Sequence, residues 1–398
     1  MAKKNPQKRK VCFIITSFIH YSRNLLILEE LQKRHDIELS VAIGGSALLS
    51  KYLSKYSKLK ELLYEEGFTN IHEVSFNLEG DSAVVKAKTA GLGTVEFANL
   101  FDDIKPDIVV VRGDRFEVLS ATMAAAYMNI PIAHIEGGDI SGSLDESVRH
   151  SITKLAQIHF TTNEPARKRV IQMGEDEKYV FNFGSPDIDV VQTLSKSKTK
   201  IKKDDDYDLN RTGSGADFDI NKDYIMVMYH PVSGDVGKMS ENTRKIIHAV
   251  YDLNIQTIWF WPNIDAGAEE ISHALRVFND EVKDHKIRFM RYLPPKKFIT
   301  LLSKAKCLLG NSSAGIKECS YLGVPVVNIG TRQDSRLHDN NVVTVGIDTE
   351  IIKNTLKSQI AVGSYPRSDL YLGKNTSKKI ADTLATISLY TQKKFYSK

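Results

Sequence analysis

Cysteine is scarce: Cys12, Cys307 and Cys319 are the only three in 398 residues. An odd count at wide spacing indicates neither a disulfide framework nor a Cys-based metal site. No charged leader followed by an apolar run and a small-residue cleavage site precedes Val11, so a reduced, cytoplasmic chain is expected. Long apolar runs are missing too; those around 108–111 and 225–227 are strand-sized, far short of the roughly 18 residues of a membrane span. No GxGxxG fingerprint and no Walker lysine pattern occurs, which removes the motif basis for an NAD-dependent enzyme or a P-loop kinase. The 11 histidines show no HExxH spacing and no His/Cys cluster, so no metal site is expected.

Surplus charge is also lacking where it would matter. Lys and Arg number 54 against 49 Asp and Glu, a net +5, and the sequence pI is about 8.8. Lys3, Lys4, Lys8, Arg9 and Lys10 account for the whole excess. Residues 1–10 therefore read as a basic disordered tail, and the remainder has no positive field to attract nucleic acid or a membrane.

What the sequence does contain is alternation. Short β-branched runs at 11–15, 37–43, 108–111, 131–135 and 159–161 each precede a helix-like stretch, which predicts a parallel sheet covered on both faces. The pattern lapses at 195–223, a charged, aperiodic segment that reads as a linker or surface excursion. It resumes with strand-like runs at 224–229, 256–261, 287–292, 307–310 and 324–329. Trp259 and Trp261, in IWFWPN, read as core strand residues. The expected architecture is α/β with two Rossmann-like domains, 11–194 and 224–376, followed by a C-terminal segment, 377–398.

Polar clusters recur where these strands end. Residues 109–111 run into Arg112-Gly113-Asp114-Arg115, and 133–135 into Glu136-Gly137-Gly138-Asp139. In the second half His230, Asn263 with Asp265, Asn311-Ser312-Ser313 and Arg332 follow strands in the same way. Ligands of open parallel sheets bind outside the carboxyl ends of the strands, so a ligand cleft between two such domains is expected.

Asp114, Glu136 and Asp145 form a candidate acid/base set, since carboxyls at strand ends serve as acid and base when their surroundings separate their pKa values. Asp145 lies on a probable helix with Arg149 and His150. GNSSAGIKE (310–318) offers small residues and hydroxyls at a strand-to-helix turn. That arrangement suits a phosphate, with Glu318 reaching ribose hydroxyls, and it equally suits an ordinary serine N-cap. His230 is either a satisfied core histidine or a phosphate contact. Asp204-Asp205-Asp206 reads as a solvated charge run and not as a metal motif.

GDRFE (113–117), HIEGGDISGSLDESVRH (134–150), ITKLAQIHF (152–160), HPV (230–232), PNIDAG (262–267), GNSSAGIKE (310–318) and GVPVVNIGTRQ (323–333) together resemble the hydrolysing UDP-N-acetylglucosamine 2-epimerases of bacterial sialic acid synthesis. The match runs in order over about residues 100–375. It implies a glycosyltransferase-B-like fold, with the site in the interdomain cleft and a C-terminal helix packing back on the first domain. The implied reaction converts UDP-N-acetylglucosamine and water to N-acetylmannosamine and UDP, by elimination to a glycal and hydration, with no redox cofactor and no obligatory metal. Asp114, Glu136 and Asp145, with His230, would be catalytic. Arg149, Ser312, Ser313 and the helix beginning near Gly315 would hold the diphosphate with His230. Glu318 would bind the ribose, and Asn263 and Asp265 would line the sugar side. Arg115, Asn311 and Arg332 complete the expected substrate contacts, and a homodimer or homotetramer is implied.

The resemblance departs at the first loop. The family usually has Thr-Arg-Ala-Asp-Tyr after the first strand, whereas this chain has Thr16-Ser17-Phe18-Ile19-His20-Tyr21-Ser22-Arg23. Arg23 or His20 would have to replace the missing Arg. The change leaves UDP- or GDP-linked N,N'-diacetylbacillosamine, of the legionaminic acid route, as an alternative donor. A glycosyltransferase on the same fold is a further alternative, because fold does not fix function.

Overall fold

RKVCFII (Arg9–Ile15) forms strand β1, buried at every residue from Val11 onward. Val11, Phe13 and Ile15 enter one apolar cluster and Cys12 and Ile14 another. Successive side chains of a strand point to opposite faces, so a strand apolar throughout must be covered on both. Helices do this: Ile27, Leu28 and Leu31 from one side, Phe97, Phe101, Val118 and Ala121 from the other.

The computed structural model describes residues 8–49, 58–80, 82–196, 208–263 and 265–397. They divide into two units, one drawn from Met1–Ile140, Leu144–Val190 and Gly373–Lys398, the other from Ser141–Ser143 and Val191–Leu372. In the first unit, β1, β2 (Ile37–Gly44), β3 (Ile71–Val74), β4 (Ile108–Arg112), β5 (Ile132–Ile135), β6 (Ile158–Thr161) and β7 (Val180–Asn182) form a sheet in the order β3-β2-β1-β4-β5-β6-β7. Every pairing in it is parallel.

The second unit contains β8 (Ser214–Gly215), β9 (Tyr224–Met228), β10 (Gln256–Phe260), β11 (Ile287–Met290), β12 (Leu308–Gly310), β13 (Val326–Ile329) and β14 (Val342–Val345), in the order β14-β13-β12-β9-β10-β11-β8. Its first six strands counted from β9 repeat the order of the first unit, and β8 adds antiparallel to β11 at the edge. Each sheet thus reverses direction at one place, between β1 and β4 and between β9 and β12. A doubly wound sheet opens its ligand crevice at that switch point. Gly310 ends β12 at φ 134°, where a Cβ would lie 2.1 Å from the Met228 carbonyl oxygen. Only glycine lets β12 lie that close to β9 before the polar turn begins.

Three expectations about segments change. Strand β1 starts at Arg9, so Arg9 and Lys10 belong to the sheet, and residues 1–7 of the expected tail lie outside the described residues. The segment 195–223 is more than a linker. Residues 208–223 carry a helical turn (Leu209–Thr212) and β8, drawn in by the buried Arg288 guanidinium, which donates to the carbonyls of Leu209, Asn210, Gly213 and Gly215. Asp204, Asp205 and Asp206 lie outside the described residues. The C-terminal helix spans only Thr376–Thr386.

Ile380, Ala381 and Leu384 of that helix join the first unit's core, and Arg34 clasps Asp382 at 2.6 Å. Beyond it the chain is irregular but fastened. Lys393 reaches Glu175 at 2.6 Å, beside Lys154 at 2.5 Å and His159 at 3.1 Å. Burial alone would raise the Glu175 carboxyl, but the hydrogen bonds and charges of those partners carry it down to about 2.

Candidate active site

Both faces of the first sheet are spoken for, so its polar residues gather at the carboxyl ends of the strands. Gly113, at φ 77°, turns the chain immediately after β4 and presents Asp114. The turn is held from below by His134 of β5, whose Nε2 donates to the Gly113 carbonyl (2.9 Å) while Nδ1 accepts from Thr153 Oγ1 (3.1 Å). The buried Arg149 guanidinium, 1% exposed, pairs with Asp114 and also donates to the Asp139 carbonyl at 2.8 Å. Burial opposes the Arg149 charge, but the carboxylates of Asp114, Asp139 and Asp145 more than offset it and raise its pKa above the ordinary arginine value.

Glu136 follows β5 in a left-handed conformation, φ 76°, which costs a non-glycine residue about 1–2 kcal/mol. Strain of that kind persists only where surroundings enforce it. Here the Glu136 N–H donates to the Phe160 carbonyl at 2.8 Å, and its carboxylate accepts from Arg112 Nε at 2.9 Å. Arg112 is 1% exposed and also pairs with Asp187, which has no exposed side-chain surface. Burial would raise the Asp187 carboxyl, yet the guanidinium groups of Arg112 and Arg23 draw it below the usual range. Two carboxylates at adjacent strand ends are thus each matched to its own buried guanidinium.

Asp145, half-buried in the first turn of the helix Leu144–Leu155, stands one turn before Arg149 and is among the charges acting on it. In the first loop Ser17 caps the helix Phe18–Gln32, accepting from the His20 N–H, and the buried His20 ring sits 3.1 Å from Thr16 Oγ1. Burial, helped by Arg115 and Arg112, pushes His20 down to about 3; burial does the same to His134. Both rings are therefore neutral near pH 7.

In the second unit, the His230 N–H donates to Asn311 Oδ1 at 2.8 Å, and Asn311 Nδ2 returns a bond to the His230 carbonyl at 2.8 Å. This reciprocal pair ties the end of β9 to the end of β12 across the switch point. The Asn263 N–H donates to His230 Nδ1 at 3.4 Å, so Nδ1 serves as an acceptor. Asn263 and Asp265 bond to each other at 2.5 Å. Arg332 Nη1 and Gln333 Nε2 donate to the Asn311 carbonyl at 3.0 and 2.8 Å, fixing the turn from the side. Ser312 caps the one-turn helix Ser313–Ile316, and the buried Glu318 opens the next helix, Glu318–Leu322.

Several expected contacts have other neighbours. The resemblance puts Arg149 on the diphosphate, but its guanidinium is buried against Asp114. Arg115 is paired with the fully buried Glu117, at 2.9 and 3.1 Å. Arg23 lies 3.6 Å from Asp187. Gly315 faces the sheet, where a Cβ would come within 3.0 Å of Val326, so close helix–sheet packing explains that glycine. Arg112 and Asp187 were missed. A charged residue ending a fully buried strand signals a required partner, but nothing in the sequence says which one.

The family model described as UDP-N-acetylglucosamine 2-epimerase matches residues 29–385. The chain belongs to the UDP-N-acetylglucosamine 2-epimerase family. Among its relatives in that family, it is 31% identical to a UDP-N,N'-diacetylbacillosamine 2-epimerase (hydrolyzing) from Legionella pneumophila, with 96% of this chain and 97% of the relative covered. It is 30% identical to a UDP-N-acetylglucosamine 2-epimerase from Neisseria meningitidis, covering 93% and 94%. A crystal structure of UDP-GlcNAc 2-epimerase from Neisseria meningitidis bound to UDP-GlcNAc superposes with a TM-score of 0.74 at 20% identity, over 94% of this chain and 99% of that one. That likeness shows the fold of this 2-epimerase family chain, two parallel-sheet α/β units of the glycosyltransferase-B class.

The neutral histidines give the family member a predictable acid sensitivity. His20 and His134 bind protons near pH 6.5 when unfolded and near 3 when folded, so the unfolded chain holds more protons between those values. Stability should be full above about pH 6.5 and decline below it by up to about 2.7 kcal/mol per pH unit, about 1.4 from each ring. Urea unfolding from pH 7.5 to 4.5 checks this, and His134→Gln should flatten the slope; a pH-independent midpoint across the window would contradict it.

Proposed function

We propose that the chain is a hydrolysing 2-epimerase: it takes a UDP-linked 2-acetamido sugar and water to the free sugar inverted at C2 and UDP. The observation that carries this is the paired arrangement of Asp114 with Arg149 and Glu136 with Arg112 at the carboxyl ends of β4 and β5, beside the switch point. The C2 proton is weakly acidic, so its removal needs a fixed carboxylate base as the C1–O bond to UDP breaks. Water then adds to the resulting glycal at C1, and a proton returns to C2 from the opposite face. That sequence needs more than one carboxyl group, which Asp114, Glu136 and Asp145 supply.

The departing UDP is the natural ligand of the second unit. His230, Asn311, Ser312, Ser313 and Arg332 cluster at its switch point, and donors fixed before the reaction stabilise a leaving group without reorganising. Asn263 and Asp265 stand beside His230, and Glu318 is suited to ribose hydroxyls. UDP-N-acetylglucosamine is the first donor to test. The diacetylbacillosamine donor is the second, favoured by the Legionella relative and by the buried His20 in the first loop.

We also propose a homo-oligomer formed through the first unit. Val84, Leu92 and Val95 of the helix Ala83–Ile104 and Met123 and Tyr127 of the helix Phe116–Tyr127 are exposed, Tyr127 by 85%. On each helix they fall within an arc of about 80°, one face and not scattered positions.

Incubation with each donor in deuterated water, followed by NMR, checks the reaction: a free 2-acetamido-mannose sugar deuterated at C2, together with UDP, is expected. Intact, unlabelled donors in both cases would sink the proposal. For assembly, Val95→Asp with Tyr127→Asp should reduce the mass measured by light scattering to that of one chain; a wild type already of that mass would refute the oligomer.

A further inference from the structure

The Arg112 side chain has a partner on each of its three nitrogens. Nε donates to Glu136 at 2.9 Å, Nη1 to the Arg23 carbonyl at 3.0 Å and Asn24 Oδ1 at 3.1 Å, and Nη2 to Asp187. Its three nitrogens thus engage the loop after β5, the helix Phe18–Gln32 and the helix Pro186–Lys196. Asn24 is fully buried, and its own Nδ2 donates to the His20 carbonyl at 2.7 Å, so its oxygen is held toward Arg112. Two cations, Arg112 and Arg23, face two anions, Glu136 and Asp187, and His20, Asp114 and Arg115 lie close by.

A buried ion-pair network is a poor device for stability, because desolvating each ion costs several kcal/mol and an apolar replacement often folds as well. Its location is what distinguishes this one. It ends β4 next to the switch point and grips a residue whose own backbone is held at φ 76°. We propose that Arg112 is a positioning residue for the reaction: its planar fork aims the Glu136 carboxylate at the substrate carbon, and Asp187 holds the fork in its plane. The inference rests on the 2-epimerase reading and adds to it a residue that touches no substrate. Lysine cannot substitute, since its compact ammonium lacks the planar fork with which the guanidinium spans three elements.

The test compares wild type, Arg112→Lys, and the double variant Arg112→Met with Asp187→Asn, which removes one charge of each sign. With whichever donor the wild type consumes, the double variant should lose about 100-fold in kcat with KM within about threefold, while UDP affinity stays at the wild-type value. Arg112→Lys should recover less than about a tenth of the wild-type kcat, and it carries the test alone should the double variant fail to fold. A kcat within threefold of wild type in either variant, or a loss expressed wholly in KM, would overturn the positioning role. A wild type that turns over neither donor would instead refute the 2-epimerase reading, and this inference with it.

Discussion

A guanidinium without water around it must be surrounded by acceptors, and that requirement organises the first unit. Arg112 and Arg149 are each about 1% exposed, and between them they engage Glu136, Asp187, Asp114 and two backbone carbonyls. A buried charge without a counter-charge is costly, so each guanidinium dictates where its carboxylate stands. The carboxylates therefore occupy fixed places at the ends of β4 and β5. The left-handed Gly113 and Glu136 are the backbone expression of the same constraint.

The second unit reaches order by a different route. Its switch point is closed by the neutral, reciprocal bonds of His230 and Asn311, with Arg332 and Gln333 bracing the Asn311 carbonyl. The bonds that close this turn are between neutral groups, unlike the guanidinium–carboxylate pairs of the first unit. The two units share a strand order but divide the demands of the proposed reaction, fixed carboxylates in one and fixed donors in the other.

Much of this was legible in the sequence because strand ends are visible in it. Asp114, Glu136, His230 and Asn311 all follow apolar runs, and all four stand at carboxyl ends of strands in the structure. What was hidden depends on three-dimensional order. Asp187 lies 75 residues beyond Arg112, and their meeting depends on where the helix Pro186–Lys196, which follows β7, packs in the first unit. The edge strand β3 was missed because His72 and Glu73 interrupt its apolar run in IHEV, and β14 because it is only four residues long. β8 was missed because it is two residues long and owes its place to Arg288. Gly315 has a packing requirement that the sequence did not reveal: a Cβ there would come within 3.0 Å of Val326.

The central claim is that proton chemistry belongs to the first unit and nucleotide binding to the second. Calorimetric titration of UDP into Glu136→Gln and His230→Ala, alongside their turnover, tests it most directly. Glu136→Gln should bind UDP within about twofold of wild type while losing at least about 100-fold in turnover, and His230→Ala should weaken UDP binding about tenfold. Loss of UDP binding in Glu136→Gln, or its turnover within tenfold of wild type, would contradict the division.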